Sequence, residues 1–381
     1  MLSLIFTSLY VFILMLKAVC VRAYKRQFKV TPFTGTLASV TIFQPILSGD
    51  LKLKDTLEQN IATFPDVQFN WLIDKDDDVA MQIANDLHDQ HPSARITIQR
   101  YDQAPQGINP KLFKLQSALE LCTEEFIVVL DDDTVLPLES LKVLLGELSH
   151  ATIATGLPSY SEGDNFASRI LSAFVNNNAA MTYLATLPFM QPITVNGMCY
   201  AIKRESLLKL SGFQAISHHL TDDLAIAELV LDNGGTISQT PFVQRIETHL
   251  SDLSAYGSQM HRWYVFANLL FAKQTLSIRV LMTLLYAVPS LLLWLLIITV
   301  VIQFSISLVL LLLAALLMRH ATISYHNETK NAYTPSNVLT SLLSEIIQPV
   351  HILHALFVRT IRWRSRRYRV YSSDRFESVE R

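Results

Sequence analysis

The feature that most constrains this chain is a run from Val280 to Met318 without a single charged residue. At about 1.5 Å per residue, a helix of that length measures about 60 Å, twice the hydrocarbon core of a bilayer. The run therefore reads as two membrane spans, residues 279–318, with Gln303-Phe304-Ser305 as the turn. No polar stripe interrupts it, which argues against a hairpin buried in a soluble core. Arg279 before the run, and Arg319 with His320 after it, fit the cytosolic ends of such a hairpin.

A second apolar segment, Leu2 to Val19, carries Lys17 as its one charge. A cleaved signal peptide would place its basic residues first; here Arg22, Lys25, Arg26 and Lys29 follow the segment. Residues 1–21 are thus expected to be a retained anchor, with Met1 outside and everything from Arg22 onward in the cytosol. A third stretch, Val338 to Val358, contains Glu345, Pro349, His351 and His354. Arg359, Arg362, Arg364, Arg366, Arg367 and Arg369 follow, interleaved with Trp363, Tyr368 and Tyr371. Crossing the membrane there would put those arginines outside. Residues 337–381 are therefore expected to form an interfacial or re-entrant helix and a basic tail lying on anionic headgroups.

Composition agrees: 50% of the 381 residues are hydrophobic and 17% charged, against about 25% charged in soluble proteins. A net charge of −2 gives no whole-chain basic field for nucleic acid. Cys20, Cys122 and Cys199 lie far apart, which fits a reducing compartment and excludes a cysteine-built zinc site.

Residues 32–272 alternate short apolar runs with helical periods. Ala38–Pro45, Phe69–Ile73, Ala94–Gln99 and Phe126–Leu130 read as strands. Leu51–Thr63, Val79–Gln90 and Lys111–Leu121 read as the helices between them. That order implies an α/β domain with a parallel, doubly wound sheet, whose ligands sit at the carboxyl ends of the strands. Here those ends carry acid.

Asp131-Asp132-Asp133 follows the fourth strand, where a DxD-type pair can hold Mg²⁺ or Mn²⁺ while a diphosphate supplies further oxygens. A solvated turn is the plainer alternative. Asp74, Asp76, Asp77 and Asp78 follow the second strand and can contact a nucleoside or cap the helix behind them. Thr221-Asp222-Asp223 precedes the helix Leu224–Leu231; Asp223 there suits a general base for an acceptor hydroxyl, and Thr221 a cap. His218 and His219 read as surface loop residues. Gln259, Arg262 and Trp263, at i, i+3 and i+4, share one helix face and can converge on a ligand phosphate or anchor the helix at the bilayer. Lys111, in Gly107-Ile108-Asn109-Pro110-Lys111, stands at a helix N-terminus that favours anions.

This ordered set resembles the ceramide glucosyltransferase-like family, glycosyltransferase family 21, close to family 2, in its bacterial form. The likeness extends to the Gly197-Met198 loop, Pro349-Val350-His351 and Trp363-Arg364-x-x-Arg367-Tyr368-Arg369. It implies a GT-A fold, a UDP-sugar donor, a lipid acceptor and an integral membrane protein of a bacterial inner membrane with a cytosolic catalytic domain. The family's first motif acid falls on Asp77, its second on Asp131 and its base on Asp223; its Gln-x-x-Arg-Trp element falls on Gln259, Arg262 and Trp263. Asp78 stands where many relatives have Pro, which leaves Asp76, Asp77 and Asp78 open as the first acid. The triple aspartate makes Asp133 the metal ligand and Asp131 a donor contact, beside Lys111. Other readings are a processive polysaccharide synthase, which shares the Gln-x-x-Arg-Trp element but usually has more spans, and a non-catalytic nucleotide-sugar-binding membrane protein.

Overall fold

The computed structural model describes residues 2–326, 335–363 and 366–379. Arg364, one residue of the carboxy-terminal motif, lies outside them. In chain order the elements begin with α1 (Leu2–Gln27), β1 (Val40–Ile46), α2 (Leu53–Thr63), β2 (Gln68–Asp74), α3 (Asp78–Gln90), β3 (Ile96–Tyr101), α4 (Pro110–Leu121) and β4 (Phe126–Leu130). There follow β5 (Thr134–Val135), α5 (Leu138–Glu147), β6 (Ile153–Tyr160), α6 (Phe166–Tyr183), β7 (Cys199–Lys203), α7 (Arg204–Lys209), α8 (Asp222–Asp232) and β8 (Ile237–Ile246). The chain continues through α9 (Leu253–Lys273), α10 (Leu276–Met282), α11 (Val288–Ile302), α12 (Ile306–His326), α13 (Pro335–Ile346) and α14 (Gln348–Phe357). It closes with β9 (Thr360–Trp363), β10 (Arg366–Val370) and β11 (Phe376–Val379).

The central sheet has eight strands in the order β3-β2-β1-β4-β7-β6-β8-β5. The expected parallel strands β1 to β4 form one half. The other half departs from a purely parallel sheet: β7 runs antiparallel to both β4 and β6, and β5 antiparallel to β8. β7 follows β4 in the chain only after β5, α5, β6 and α6, and returns against it in the antiparallel sense.

Alternation along the strands sets the two faces. Phe126, Val128 and Leu130 of β4 join the core formed with α2, α3 and α5, where Trp71 is fully buried and its Nε1–H donates to Gln44. Ile127 and Val129 face the other core, built with α4 and α8. By the same period the residue after Leu130 turns toward α4 and α8.

Among the described residues, four helical segments are long and apolar enough to cross a membrane: Leu2–Gln27, Leu276–Ile302, Ile306–His326 and Asn337–Phe357. The expected turn at 303–305 separates α11 from α12. α1 packs with both through Tyr10, Ile13, Leu14, Leu293, Leu296 and Ala315. Arg319 differs from its expected place at a cytosolic end. α12 continues to His326, and Arg319 is buried within it, ion-paired to Glu345 of α13 and bonded to the Ser341 Oγ at 2.9 Å. Tyr10 Oη donates to the same Glu345 at 3.0 Å, and Asn177 of α6 donates to Ser341 Oγ at 2.8 Å. Burying a charge is costly unless it is paired and hydrogen-bonded, and this network supplies both.

The Val338–Val358 stretch forms two short helices rather than one, with α13 against α6 and α14 against α9 of the globular domain. In the basic tail, β9, β10 and β11 form an antiparallel sheet in the order β11-β10-β9, whose Ile361, Tyr368 and Val370 are buried against Leu220, Val265 and Ala355. The alternation Arg367, Tyr368, Arg369, Val370 puts arginine outside and apolar side chains inside.

Candidate active site

Asp131 leaves β4 on the face predicted by the strand period, and its N–H donates to the Met198 carbonyl at 2.9 Å. The antiparallel pairing of Leu130 with Cys199 is what draws the Gly197-Met198 loop alongside the aspartates. α4 begins at Pro110 with Asn109 as N-cap, the Asn109 Oδ1 accepting from Lys111 N–H at 2.9 Å. Proline at the first turn and asparagine before it are both suited to a helix start. The Lys111 Nζ lies 2.7 Å from Asp131 Oδ1 and 2.8 Å from Asp222 Oδ2, so one ammonium bridges two acids. Burial would lower the Lys111 pKa, but Asp131 and Asp222 outweigh it and hold it well above the usual lysine value.

Asp223 opens α8, and its Oδ1 accepts from the Leu224 N–H at 2.9 Å. Burial first, and then the neighbouring Asp222 carboxylate, raise its pKa to about 7, against the pull of the Leu224 amide and Lys111. Burial likewise raises Asp131, with Lys111 opposing. A base poised near neutral pH is suited to accepting a proton in catalysis. Thr221 does not cap α8 with its side chain, whose oxygen is buried without a hydrogen bond.

The three consecutive aspartates divide by function. Asp132 is buried and accepts from the Leu47 N–H at 2.8 Å, fixing the loop after β1. Asp133 accepts from the Thr248 hydroxyl at 2.5 Å, and its carbonyl accepts from the Glu247 N–H, where the chain leaves β8. The Asp131 carboxylate, by contrast, meets the Lys111 ammonium. Among the described residues no group of three or more His, Cys, Asp or Glu is placed to hold a metal ion. The hard oxygen donors of Asp133 and its neighbour still fit Mg²⁺ or Mn²⁺, provided that substrate or water oxygens complete the shell.

Asp77 caps α3, with Oδ1 accepting from the Ala80 N–H at 3.0 Å and Oδ2 from the Ser48 N–H at 2.8 Å. Burial pushes its carboxyl up, but those amides win and hold it below the usual range. Of the adjacent acids, Asp78 is the first residue of α3 and Asp76 accepts from Gln103 at 3.3 Å. Gln259 and Arg262 meet on α9, the guanidinium donating to Gln259 Oε1 at 2.9 Å. Trp263 is wedged between Phe174, stacked at 6.4 Å between centroids, and Tyr160, edge-on at 6.3 Å. The Tyr160 phenol, raised first by burial, is also influenced by Asp133, Arg262 and Asp131, which places α9's motif on the same side as the aspartates.

Sequence reading missed two residues that shape this centre. Asn109 Nδ2 donates to the His219 and Leu220 carbonyls at 2.9 and 3.1 Å, clasping the loop before Asp222; its helix-capping position was the available signal. Thr248 had none, because its partner Asp133 is distant in sequence. His218 and His219 are loop residues, bonded to the Gly107 and Ile216 carbonyls.

The sequence profile of glycosyl transferase family 21 matches residues 4–376. The chain belongs to that family. No curated protein matches the chain in sequence. A mannosyltransferase from Pyrobaculum calidifontis, solved with GDP-Man and Mn²⁺, superposes with a TM-score of 0.54 at 16% identity, over 93% of this chain and 98% of that one. Glucosyl-3-phosphoglycerate synthase from Mycobacterium tuberculosis, solved with Mn²⁺, UDP and phosphoglyceric acid, matches 57% of this chain and 73% of that one, with a TM-score of 0.34 at 14% identity. The family 21 chain has the GT-A-type fold, with apolar helices long enough to span a membrane towards both ends.

Proposed function

We propose that this family 21 member moves a sugar from a UDP-sugar to a membrane lipid such as ceramide, with inversion, giving a β-glycolipid. The observation that carries the reading is Asp223, a carboxyl poised near pH 7 beside the Lys111–Asp131 pair at the strand end. In the proposed step the acceptor oxygen attacks the anomeric carbon while the bond from that carbon to the diphosphate breaks. The hydroxyl proton passes to the Asp223 carboxylate, and a single displacement inverts the anomeric centre.

On the donor side, Asp131, Lys111, Gln259, Arg262 and Trp263 hold the UDP-sugar, and Asp77 forms the nucleoside end. Arg262 suits the diphosphate because its planar fork matches phosphate oxygens. Asp133 would hold Mg²⁺ or Mn²⁺, which would supply positive charge beside the diphosphate when bound. The Pyrobaculum enzyme, solved with a nucleotide-sugar and Mn²⁺ on this fold, supports that reading. We place the protein in a bacterial inner membrane, with the domain of residues 32–272 in the cytosol and α13 and α14 at the interface, where they pack on α6 and α9.

The test is a matrix of UDP-sugars against a total lipid extract, with Mg²⁺ or Mn²⁺ and mass-spectrometric readout. A monoglycosylated lipid formed by the wild type and not by Asp223→Ala supports the proposal. A polymeric product, or UDP binding without any transfer, defeats it.

A further inference from the structure

A cleft opens where the globular domain meets the first helix of the membrane hairpin. Thr186, Ile193 and Thr194 line it from the loop after α6, Leu270 from the end of α9, and Met282 and Tyr286 from the membrane hairpin. The same loop runs on to Gly197, which packs directly against the Asp223 side chain. Two residues separate Thr194 from Gly197, so the two are at most about 10 Å apart along an extended chain. One wall of the cleft is thus continuous with the base, and the other belongs to a helix apolar enough to lie in lipid.

The hairpin wall is held in an irregular form. Thr283–Ala287 makes a turn of π-helix, a geometry that frees backbone groups from the α ladder. The Leu285 carbonyl accepts from the buried Lys17 ammonium of α1 at 3.1 Å, and that ammonium lies 5.4 Å from the Tyr286 ring centroid. The Tyr286 hydroxyl donates to the Thr182 carbonyl at 2.9 Å, tying the span to the end of α6. Lys17 is thereby engaged behind Tyr286, and among the described residues none that lines the cleft is charged. The lining mixes hydroxyls with apolar side chains. A phosphate or carboxylate head would need a cationic partner there; an alcohol needs only hydrogen bonds.

We propose that this cleft receives the uncharged, hydroxyl-bearing head of a membrane amphiphile, entering from the bilayer beside Met282 and Tyr286 and passing along the 186–194 loop to Asp223. The proposal rests on the glycosyltransferase reading above and adds the acceptor's route and the neutrality of its head.

The experiment uses the full chain in lipid nanodiscs and a short-chain ceramide bearing a diazirine. Cross-linked peptides should contain residues 186–194 and 282–286, and 1-dodecanol should compete where dodecyl phosphate does not. In parallel, Ile193→Trp should raise the acceptor KM by at least about tenfold while the UDP-sugar KM stays at its wild-type value. Cross-links confined to other helices, equal competition by dodecyl phosphate, or an unchanged acceptor KM in Ile193→Trp would each overturn the cleft. A wild-type protein that transfers no sugar, yet cross-links here, would defeat the glycosyltransferase reading and leave the cleft standing as an amphiphile site.

Discussion

Gly197 lies so close to Asp223 that a β-carbon added to it would stand 2.9 Å from the Asp223 Cβ and 3.4 Å from its Oδ2. Real side chains do not approach so closely, so any larger residue must push the carboxylate or the loop aside. Gly197→Ala is therefore expected to lower kcat by about 100-fold, since an ångström of misplacement in a reacting group costs about that much. UDP affinity measured by calorimetry should stay at the wild-type value. Unchanged turnover would show that Asp223 need not be held where it is.

The titration of Asp223 gives a pH profile. A base with a pKa of about 7 is active when deprotonated, so kcat should fall about tenfold per pH unit below 7 and level off above it. Stability runs the other way. Between the ordinary value of 3.8 and about 7 the folded chain retains a proton that the unfolded chain has lost, so Asp223 costs stability as pH rises through that window. Asp223→Asn should melt at the wild-type temperature near pH 4 and progressively above it toward pH 8. Parallel melting curves across that range would contradict the raised pKa.

Lys111→Met removes the cation that bridges Asp131 and Asp222, a partly buried cluster. Losing a charged hydrogen bond of this kind should cost about 1–3 kcal/mol. The loss should appear as a lower melting temperature at pH 8, partly relieved at pH 5 where the raised carboxyls take up protons. The acid limb of the rate profile should also move to higher pH, because Lys111 no longer opposes the Asp223 shift.

The aspartate triplet predicts a split. Asp133→Asn should raise the Mn²⁺ concentration needed for half-maximal activity, whereas Asp132→Asn should leave it unchanged. Asp132→Asn should instead destabilise the fold by about 1–3 kcal/mol, the range for weakening a charged hydrogen bond to a buried amide. Metal titrations and chemical unfolding of the two variants, side by side, decide it.

Arg319 and Glu345 supply a last test in the helical bundle. Either Arg319→Met or Glu345→Gln alone should destabilise the protein by about 3–5 kcal/mol in detergent, and Arg319→Met with Glu345→Met should recover most of it. A strictly additive double variant would mean that the pair is not coupled.

Much of the first half of the domain was legible because β1, β2 and β4 are buried on both faces and the runs of β2 and β4 end in acid. The antiparallel strand β7 was not, since Cys199–Lys203 is five residues long and nothing local distinguishes its direction. The closing sheet was written plainly in the alternation from Arg367 to Val370, which the density of arginine obscured. Arg319 shows the complementary failure. A charge at the edge of an apolar run looks like a membrane flank unless its partner is known, and Glu345 lies 26 residues away. At the site, residue types were readable from order along the chain, while the split between Asp132 and Asp133 depended on the distant partners Leu47 and Thr248.

The Leu220 N–H, two residues before Asp222, donates to the Ser373 carbonyl at 3.0 Å, and the closing sheet packs over the same residue. Synthesis places 373 after the whole membrane hairpin. During translation, then, the hydrogen bond to the loop before Asp223 forms only after the ribosome has made the membrane hairpin and passed residue 373.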